Sequence, residues 1–496
     1  MDAIQKDLNK NIQILKEIFK DCDDIVYRFI QIGKNKKQIC FVFIDGLIDK
    51  QLISEYAIQL LLTIDENGNL DVNKFKSNLL DTIAKEAIAV VEVDEKSQMG
   101  EIVDSILFGD TILLVDGIAQ ALALSSRGWS TRGIAEPETE TVVRGPRDGF
   151  GETLKMNTVL VRRRIRDPNL KIKNLQIGRR SKTDISVMYI EDIVNDELLK
   201  EVFERLNKID IDAILDSAML EQLIEDNYIS PLPQIENTER PDTVAASLYE
   251  GRIAILVDNT PFALIVPATV GTLLQSAEDY YSRWTISSFI RILRLLAVFL
   301  VTLSPALYIA ITSFHPGIIP TLLTYYVAAS RVNVPFSAVV EAFLMEITIE
   351  LLREAGTRIS GPIGTIIGIV GGLIIGQAAV EAAIVSPLMI IIVAITTVAA
   401  FALPSYEFAS GLRFCRFIFM ILAALFGLYG VMLGVVMLFT HMARLNSFGI
   451  PFTSPYSGLG IEEGDLKDTL IKSPIQDMEK RPEFTFPKNR RRLRRR

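Results

Sequence analysis

The chain has 496 residues, of which 49% are hydrophobic and 23% are charged. Charge is concentrated before about residue 281 and residues 292–440 are mostly apolar, so the net charge of -8 averages two unlike regions and identifies no partner. Three cysteines without metal-ligand spacing and two histidines argue against a disulfide framework, a zinc site and histidine chemistry. We therefore expect no catalytic residues, no metal site and no cofactor.

The first part of the chain, residues 1–126, is predicted to be a small cytosolic α/β subdomain. Its N-terminus is charged and amphipathic and lacks the apolar core of a signal peptide. Apolar spacings of three and four predict a helix over residues 1–34. The following pattern predicts a strand at 39–44, helices at 50–63 and 74–87, and a β-hairpin around Asp116-Gly117.

Residues 127–182 form a junction in which Arg alternates with Glu among many Gly and Pro residues. Arg162, Arg163 and Arg164 lie on a helix predicted to begin near Asn157. They indicate either an anion site or structural ion pairs between domains. Ion pairs are favoured, because no P-loop or GxGxxG motif accompanies the arginines.

A second α/β subdomain is predicted over residues 183–290. The pattern gives a strand at DISVMYIED, two helices with apolar residues three and four apart, and a hairpin around residues 259–261. Three acidic residues of the second helix are expected on a solvated face: Glu221, Glu225 and Asp226.

A transmembrane helical domain is predicted over residues 291–441. Tyr280, Tyr281 and Trp284 are aromatics of the kind found at a membrane interface, and Arg283, Arg291 and Arg294 beside the first span favour a cytosolic start. Apolar runs long enough to cross lie at 292–312, 363–385 and 417–440, with a shorter one at 387–403.

Three carboxylates interrupt the weaker apolar signal between residues 317 and 352, which fits either re-entrant helices or a tilted hairpin. Carboxylates facing lipid are costly, so they either line an ion path or pair with Arg331, Arg353 and Arg358. The three residues are Glu341, Glu346 and Glu350.

The run at 363–385 is rich in glycine, which permits close helix packing in lipid. Four of its glycines recur every fourth residue and are predicted to pack against neighbours: Gly364, Gly368, Gly372 and Gly376. Gln377 and Glu381 share one helix face. Glu381 either attracts cations to a polar path or pairs with Arg353 or Arg358.

The remaining polar tail, residues 442–496, ends in KNRRRLRRR and is expected to be cytosolic and to bind anionic lipid headgroups. With both termini inside, the number of crossings is even, and four is preferred over six. Arg413 and Arg416 are expected between the last two spans. The fold class is therefore α/β soluble N-terminal domains followed by an α-helical multi-pass transmembrane domain.

Several long, ordered blocks carry a resemblance to the A subunit of bacterial spore germinant receptors of the GerA type. The blocks are EPETETVVRGPRDGF (136–150), LIEDNYISPLPQIENTERPD (223–242), GRIAILVDNTPFALIVP (251–267), EDYYSRW (278–284), VPFSAVVEAFLMEITIELLREAG (334–356) and VGGLIIGQAAVEA (370–382). The similarity extends from about residue 30 to residue 455. The membrane half also resembles stage V sporulation AF proteins.

This resemblance implies a non-enzymatic, multi-pass protein of the spore inner membrane that triggers germination when nutrient binds its partner. The implied partners are a transporter-like B subunit, a lipoprotein C subunit and further copies of the chain in a ring around a gated cation path. No nucleic acid is expected. The implied pore-lining face comprises Ile367, Val370, Ile374, Gln377 and Glu381, with Val370 and Ile374 as the apolar gate.

Two other classes of function are considered. A secondary transporter would need repeated halves with broken helices, and only one broken acidic region is present, at 318–352. A scaffold that uses its spans merely as an anchor would not conduct ions, so bilayer conductance of the purified protein separates it from a channel subunit.

Overall fold

The computed structural model describes residues 3–32, 37–55, 92–128, 136–358, 375–457 and 465–493. The chain divides into two compact units, each described by itself. The α/β unit contains Met1–Glu225, Asn237–Pro267 and Met478–Arg496. The helical unit contains Asp226–Glu236 and Ala268–Asp477.

The first half of the α/β unit is built on a five-stranded sheet in the order β1-β2-β4-β5-β3. Its elements are α1 (Leu8–Ile18), β1 (Ile25–Ile32), β2 (Lys37–Ile44), α2 (Lys50–Ile53), β3 (Val93–Lys96), α3 (Met99–Phe108), β4 (Thr111–Val115) and β5 (Ala121–Leu124). β4 and β5 form the predicted antiparallel hairpin. Helices α1 and α3 bury their apolar faces against this sheet.

The second half has its own five-stranded sheet in the order β6-β7-β9-β10-β8. Its elements are α4 (Leu154–Arg162), β6 (Leu170–Ile177), β7 (Thr183–Ile190), α5 (Asp196–Lys208), α6 (Ser217–Ile224), β8 (Glu236–Thr238), α7 (Pro241–Tyr249), β9 (Ile253–Val257) and β10 (Ala263–Val266). The predicted strand at β7, the helix at α5 and the β9–β10 hairpin are confirmed.

The two halves have the same topology. Adding five to each strand number of the first sheet gives the strand order of the second sheet. The hydrogen bonds repeat as well. Asp116 N–H donates to Gln38 O at 3.0 Å, and Asp258 N–H donates to Asp184 O at 3.0 Å. The sequence carries a trace of this duplication in QIG at 31–33 and 176–178, and in LVDG at 114–117 and LVDN at 256–259.

The halves are joined through the outer edge of β6. Cys22 forms a parallel bridge with Ile172. Asp23 N–H donates to Ile172 O at 2.9 Å, and Ile172 N–H donates to Asp21 O at 3.1 Å. An edge strand that would otherwise leave backbone groups open is thereby paired within the chain.

Two expectations for the α/β unit are wrong. The helix predicted over residues 1–34 ends at Ile18, because the alternating aromatic and β-branched residues that follow form β1. The acidic face predicted on α6 is not wholly solvated. Glu221 is buried together with Leu220 and Ile224, because it lies at the edge of the helix face that packs on the core.

The C-terminal segment 478–493 belongs to the α/β unit. Lys488 N–H donates to Ile193 O at 2.9 Å, and the Thr485 hydroxyl donates to Glu250 O at 2.8 Å. Phe484 is buried beside these contacts. The binding of anionic lipid by the arginine-rich end stays a prediction.

The helical unit begins with two short helices, α8 (Val270–Leu273) and α9 (Ala277–Tyr281). Longer helices follow in the part of the chain that the structure describes: α10 (Trp284–Phe314), α11 (Thr321–Arg331), α12 (Ala338–Arg358), α13 (Pro387–Phe401) and α14 (Tyr406–Arg444). Among the described residues, α10 and α14 are the helices long and apolar enough to cross a membrane. A short ribbon, β11 (Asn446–Ser447) and β12 (Ile450–Pro451), follows α14.

Helix α14 reverses direction at Gly427, whose φ of 60° and ψ of -138° are not helical. A Cβ on Gly430 would lie 2.0 Å from Leu422 O, and one on Gly434 would lie 2.7 Å from the Phe419 ring. A straight helix would separate Gly430 from Leu422 by roughly 12 Å. α14 is therefore a helical hairpin with a first limb, 406–426, and a second limb, 428–444.

The single last span predicted at 417–440 is accordingly wrong. A hydropathy profile shows residues 417–440 as one continuous apolar run. The chain reversal at Gly427 needs only one glycine at positive φ and introduces no polar residue that would interrupt the profile. The apolar face of each limb packs on the other and on α10. Phe314 at the end of α10 and the following residue His315 lie beside Gly427.

The hairpin predicts an unequal response to two matched glycine substitutions. Gly430→Ala should destabilise the protein by at least about 1–3 kcal/mol, because its methyl group overlaps the Leu422 carbonyl. Gly317→Ala should leave stability unchanged, because no atom lies within 4 Å of the added carbon. Thermal unfolding in detergent measures both. Equal melting temperatures for the two variants would contradict the reversal at Gly427.

Candidate membrane site: buried ion pairs and a polar segment

Glu341 near the start of α12 is fully buried and joins three other parts of the helical unit. The Tyr308 hydroxyl of α10 donates to its carboxylate at 3.2 Å, and Arg331 of α11 lies 3.5 Å away. The backbone N–H and hydroxyl of Ser386, which caps α13, also donate to Glu341. These donors satisfy both oxygens of a carboxylate that lies inside an apolar bundle.

Glu346 and Glu350, one helical turn apart on α12, share a guanidinium from the first limb of α14. Arg416 Nη2 lies 2.9 Å from Glu346 and donates to Glu350 at 3.0 Å. Arg413 Nη1 lies 3.6 Å from Glu350. The Arg416 side chain is 1% exposed and that of Glu346 is fully buried. Two acids and two arginines thus balance their charges within the bundle.

The expected position of Arg413 and Arg416 between spans is wrong. Both lie inside the first limb of α14, which begins at Tyr406 after the cap residue Ser405. Both are buried. The sequence contains a signal for this arrangement. Two arginines lie within an apolar helix, and two acids one turn apart lie on another apolar helix, so their opposite charges predict that the two helices pair.

At the start of α10, two of the three expected flanking arginines are buried in a second ion-pair cluster. Arg291 Nε donates to Asp279 at 3.0 Å, and Arg294 Nη1 donates to the same oxygen at 2.6 Å. Arg291 also donates to Asp468 at 2.9 Å. This cluster fastens the segment after the membrane helices to the base of α10. Lys472 beside it has its pKa lowered by burial.

The glycine-rich run enters the described part of the chain only at residue 375, and residues 375–381 are helical. Gly376 is buried beside Ile390. Gln377 and Glu381 are exposed, and the Gln377 amide donates to Glu381 at 3.0 Å. In this short segment the glycine is therefore buried, whereas the two polar residues are exposed.

Most of the predicted gate and packing positions lie outside the described residues: Ile367, Val370, Ile374, Gly364, Gly368 and Gly372. Their roles stay predictions, as does a role of Glu341, Glu346 or Glu350 in an ion path. What the described residues add is that these three acids contact Arg331, Arg413 and Arg416. The Glu381 carboxylate bonds to Gln377.

Arg162 and Arg164 of the α/β unit form structural ion pairs, the interpretation favoured from the sequence. Arg162 is fully buried and binds Asp24 through two hydrogen bonds of 3.0 and 2.9 Å. Burial by itself lowers the pKa of Arg162, but the combined interactions with Asp24 and Cys22 outweigh it, so the pKa of Arg162 is raised. Arg164 donates to both oxygens of Asp148 at 2.6 and 2.7 Å. Burial raises the pKa of the Cys22 thiol.

The α/β unit repeats one antiparallel topology, and the helical unit contains two helices long and apolar enough to cross a membrane, which together indicate a membrane protein. Comparison with known proteins identifies it further. The family described as Bacillus/Clostridium GerA spore germination protein matches residues 13–484. The chain belongs to this family.

Individual relatives agree over nearly the full length. The chain is 40% identical to spore germination protein GerLA of Bacillus cereus, covering 96% of both chains. It is 43% identical to spore germination protein KA of Bacillus subtilis (strain 168), covering 97% of this chain and 87% of that protein. It is 42% identical to spore germination protein B1 of the same strain, covering 98% and 99%.

A solved structure is also similar. The crystal structure of the N-terminal domain of the A subunit of the Bacillus megaterium spore germinant receptor GerK3 is 38% identical and covers 54% of this chain and 97% of that chain, with a TM-score of 0.44.

The Arg416 cluster predicts a charge-specific loss of stability. Arg416→Met should destabilise the protein by about 3–5 kcal/mol, because Glu346 would remain buried without its partner. The double variant Arg416→Met with Glu346→Gln should recover part of the loss. Thermal unfolding in detergent tests both. If the single variant has the same melting temperature as the unaltered protein, the Arg416–Glu346 ion pair does not contribute to stability.

Proposed function

We propose that this chain is the A subunit of a nutrient germinant receptor of the spore inner membrane. In this proposal, several copies surround a gated cation path. The path opens when a transporter-like B subunit binds germinant, and a lipoprotein C subunit completes the receptor. The chain crosses the membrane several times and keeps both termini in the cytosol.

The relatives support the germination role directly, since their names describe spore germination proteins and, for GerK3, the A subunit of a germinant receptor. This evidence concerns the biological process and the receptor. The cation path rests on the residues of the helical unit.

The observation that carries the cation path is the exposed pair Gln377 and Glu381. An intramembrane carboxylate is costly against lipid and belongs against water or protein. Glu341 and Glu346 obey that rule by burial among donors and arginines. Glu381 is exposed on the surface of a single chain, which fits a surface that faces an aqueous path or another subunit.

Gly376 lies on the buried side of the same short helix, beside Ile390. A glycine there permits close approach between helices. In the sequence, Val370, Ile374, Gln377 and Glu381 recur at spacings of four, three and four, as residues of one helix face do, which supports Val370 and Ile374 as the apolar gate. An apolar ring at that level excludes water from a narrow path and blocks ions until the helices move.

The gate predicts a leak when its side chain is shortened. Vesicles containing purified Val370→Ala or Ile374→Ser protein should release monovalent cations faster than vesicles containing the unaltered chain. The matched control is Val398→Ala on α13, whose side chain is 70% exposed outside the bundle core. Equal ion retention by gate and control variants would count against the assignment, and zero conductance under all conditions would favour a scaffold.

Glu381 predicts a change in selectivity. Glu381→Gln removes one negative charge and keeps the hydrogen-bonding shape, so cation over anion permeability should fall in planar bilayers while stability stays unchanged. Reversal potentials in asymmetric salt measure the ratio. An unchanged ratio would remove Glu381 from the path and leave the gate prediction standing.

A further inference from the structure

The loop at residues 227–233 of the helical unit presents two large apolar side chains on a fixed base. Tyr228 is 80% exposed and Ile229 is 76% exposed. Leu232 and Gln234 behind them are buried. Adjacent exposed apolar residues on an ordered loop indicate a surface that another molecule or phase covers.

Most of the backbone N–H groups of the loop bond to acceptors in the loop or at its base. Four N–H groups bond within the loop and its base: Asn227 to Gln234 Oε1 (3.0 Å), Ile229 to Asn227 Oδ1 (3.1 Å), Ser230 to Asn227 O (3.2 Å) and Leu232 to Ser230 Oγ (3.1 Å). Two further positions, Pro231 and Pro233, have no N–H. Internal pairing of backbone donors is what a segment needs where water is scarce, and a loop in water has no such requirement.

The loop contacts the α14 hairpin near the end opposite Gly427, where the two limbs begin and end. Pro231 O would be 2.2 Å from a Cβ on Gly411, and Ser230 Oγ is 2.9 Å from His441 Nε2. At 1.5 Å per residue, Gly411 and His441 lie about 24 and 21 Å along the limbs from Gly427. The hydrocarbon core of a bilayer is about 30 Å thick. With Gly427 at one face, the loop contacts the helices at or inside the opposite boundary.

The same end of the hairpin carries the side chains of a membrane–water interface. Tyr406 is exposed at the start of the first limb, and Arg444 is exposed at the end of the second. Tyrosine and arginine are enriched where apolar chains meet headgroups. Tyr228 and Ile229 are exposed on the loop that contacts the two limbs at Gly411 and His441.

We propose that residues 227–233 form a membrane-interface loop whose Tyr228 and Ile229 side chains enter the lipid at the boundary of headgroups and acyl chains. The occupant of the surface is bilayer lipid and not a second protein. The loop thereby fixes the depth at which the hairpin sits. The inference requires that α14 crosses a membrane and does not require a ring or ion conduction.

The test places a fluorophore at the loop in the full-length protein. The chain has two tryptophans, Trp129 and Trp284. Both are replaced by Phe, and Tyr228→Trp is then introduced. The protein is reconstituted into phosphatidylcholine–phosphatidylglycerol vesicles with and without lipids brominated on the acyl chain near the headgroup. Most of the tryptophan fluorescence should be lost in the brominated vesicles.

The matched control is Leu215→Trp in the same background, at a 71% exposed apolar position of the α/β unit. Its fluorescence should be unaffected by bromine. Ile229→Trp repeats the measurement at the neighbouring position, and gel filtration verifies that each variant is folded. Unquenched fluorescence at both 228 and 229 overturns the proposal. Red-shifted emission would then place the loop in water, and blue-shifted emission would place it against another protein.

Discussion

The helical unit depends on one guanidinium that has no access to water. Arg416 lies among apolar side chains and contacts the carboxylates of Glu346 and Glu350. Leaving this charge unpaired would cost several kcal/mol, so the first limb of α14 and helix α12 are stable only side by side and in one register. Glu341 adds a similar constraint between α10, α11 and α13, because its carboxylate binds Tyr308, Arg331 and Ser386. The acids of α12 thus fix which helices are neighbours, while the apolar residues supply the contact area.

Close approach is the second constraint, and it explains where glycine is needed. Gly427 adopts a φ that reverses the chain, and Gly430 and Gly434 allow the two limbs to touch. Gly411 has the same effect on the outside of the hairpin, where the Pro231 carbonyl takes the place of a side chain. Each position removes a methyl group where a backbone or ring atom lies, so the limbs pack without the voids that larger residues would leave.

Sequence patterns were sufficient for the class of fold and for most elements of the α/β unit. The hairpins at Asp116 and Asn259 follow from turn residues between short apolar runs, and α5 follows from the spacing of its apolar residues. Patterns failed where the outcome depended on partners distant in the chain. The pairing of Arg416 with Glu346 joins residues 70 positions apart, and hydropathy treats both as interruptions. The reversal at Gly427 is invisible to hydropathy, because both limbs are equally apolar.

The duplication in the α/β unit has a consequence for how far such a structure can extend. Asp23 uses its N–H to pair the first half with the edge of β6. The preceding turns match, since Ile25 N–H donates to Cys22 O and Leu170 N–H donates to Asp167 O. The residue of the second half that corresponds to Asp23 is therefore Pro168, which has no N–H to donate. The second half therefore has no N–H at the position from which the first half bonds to its neighbour, so this bond could not join a further module to it.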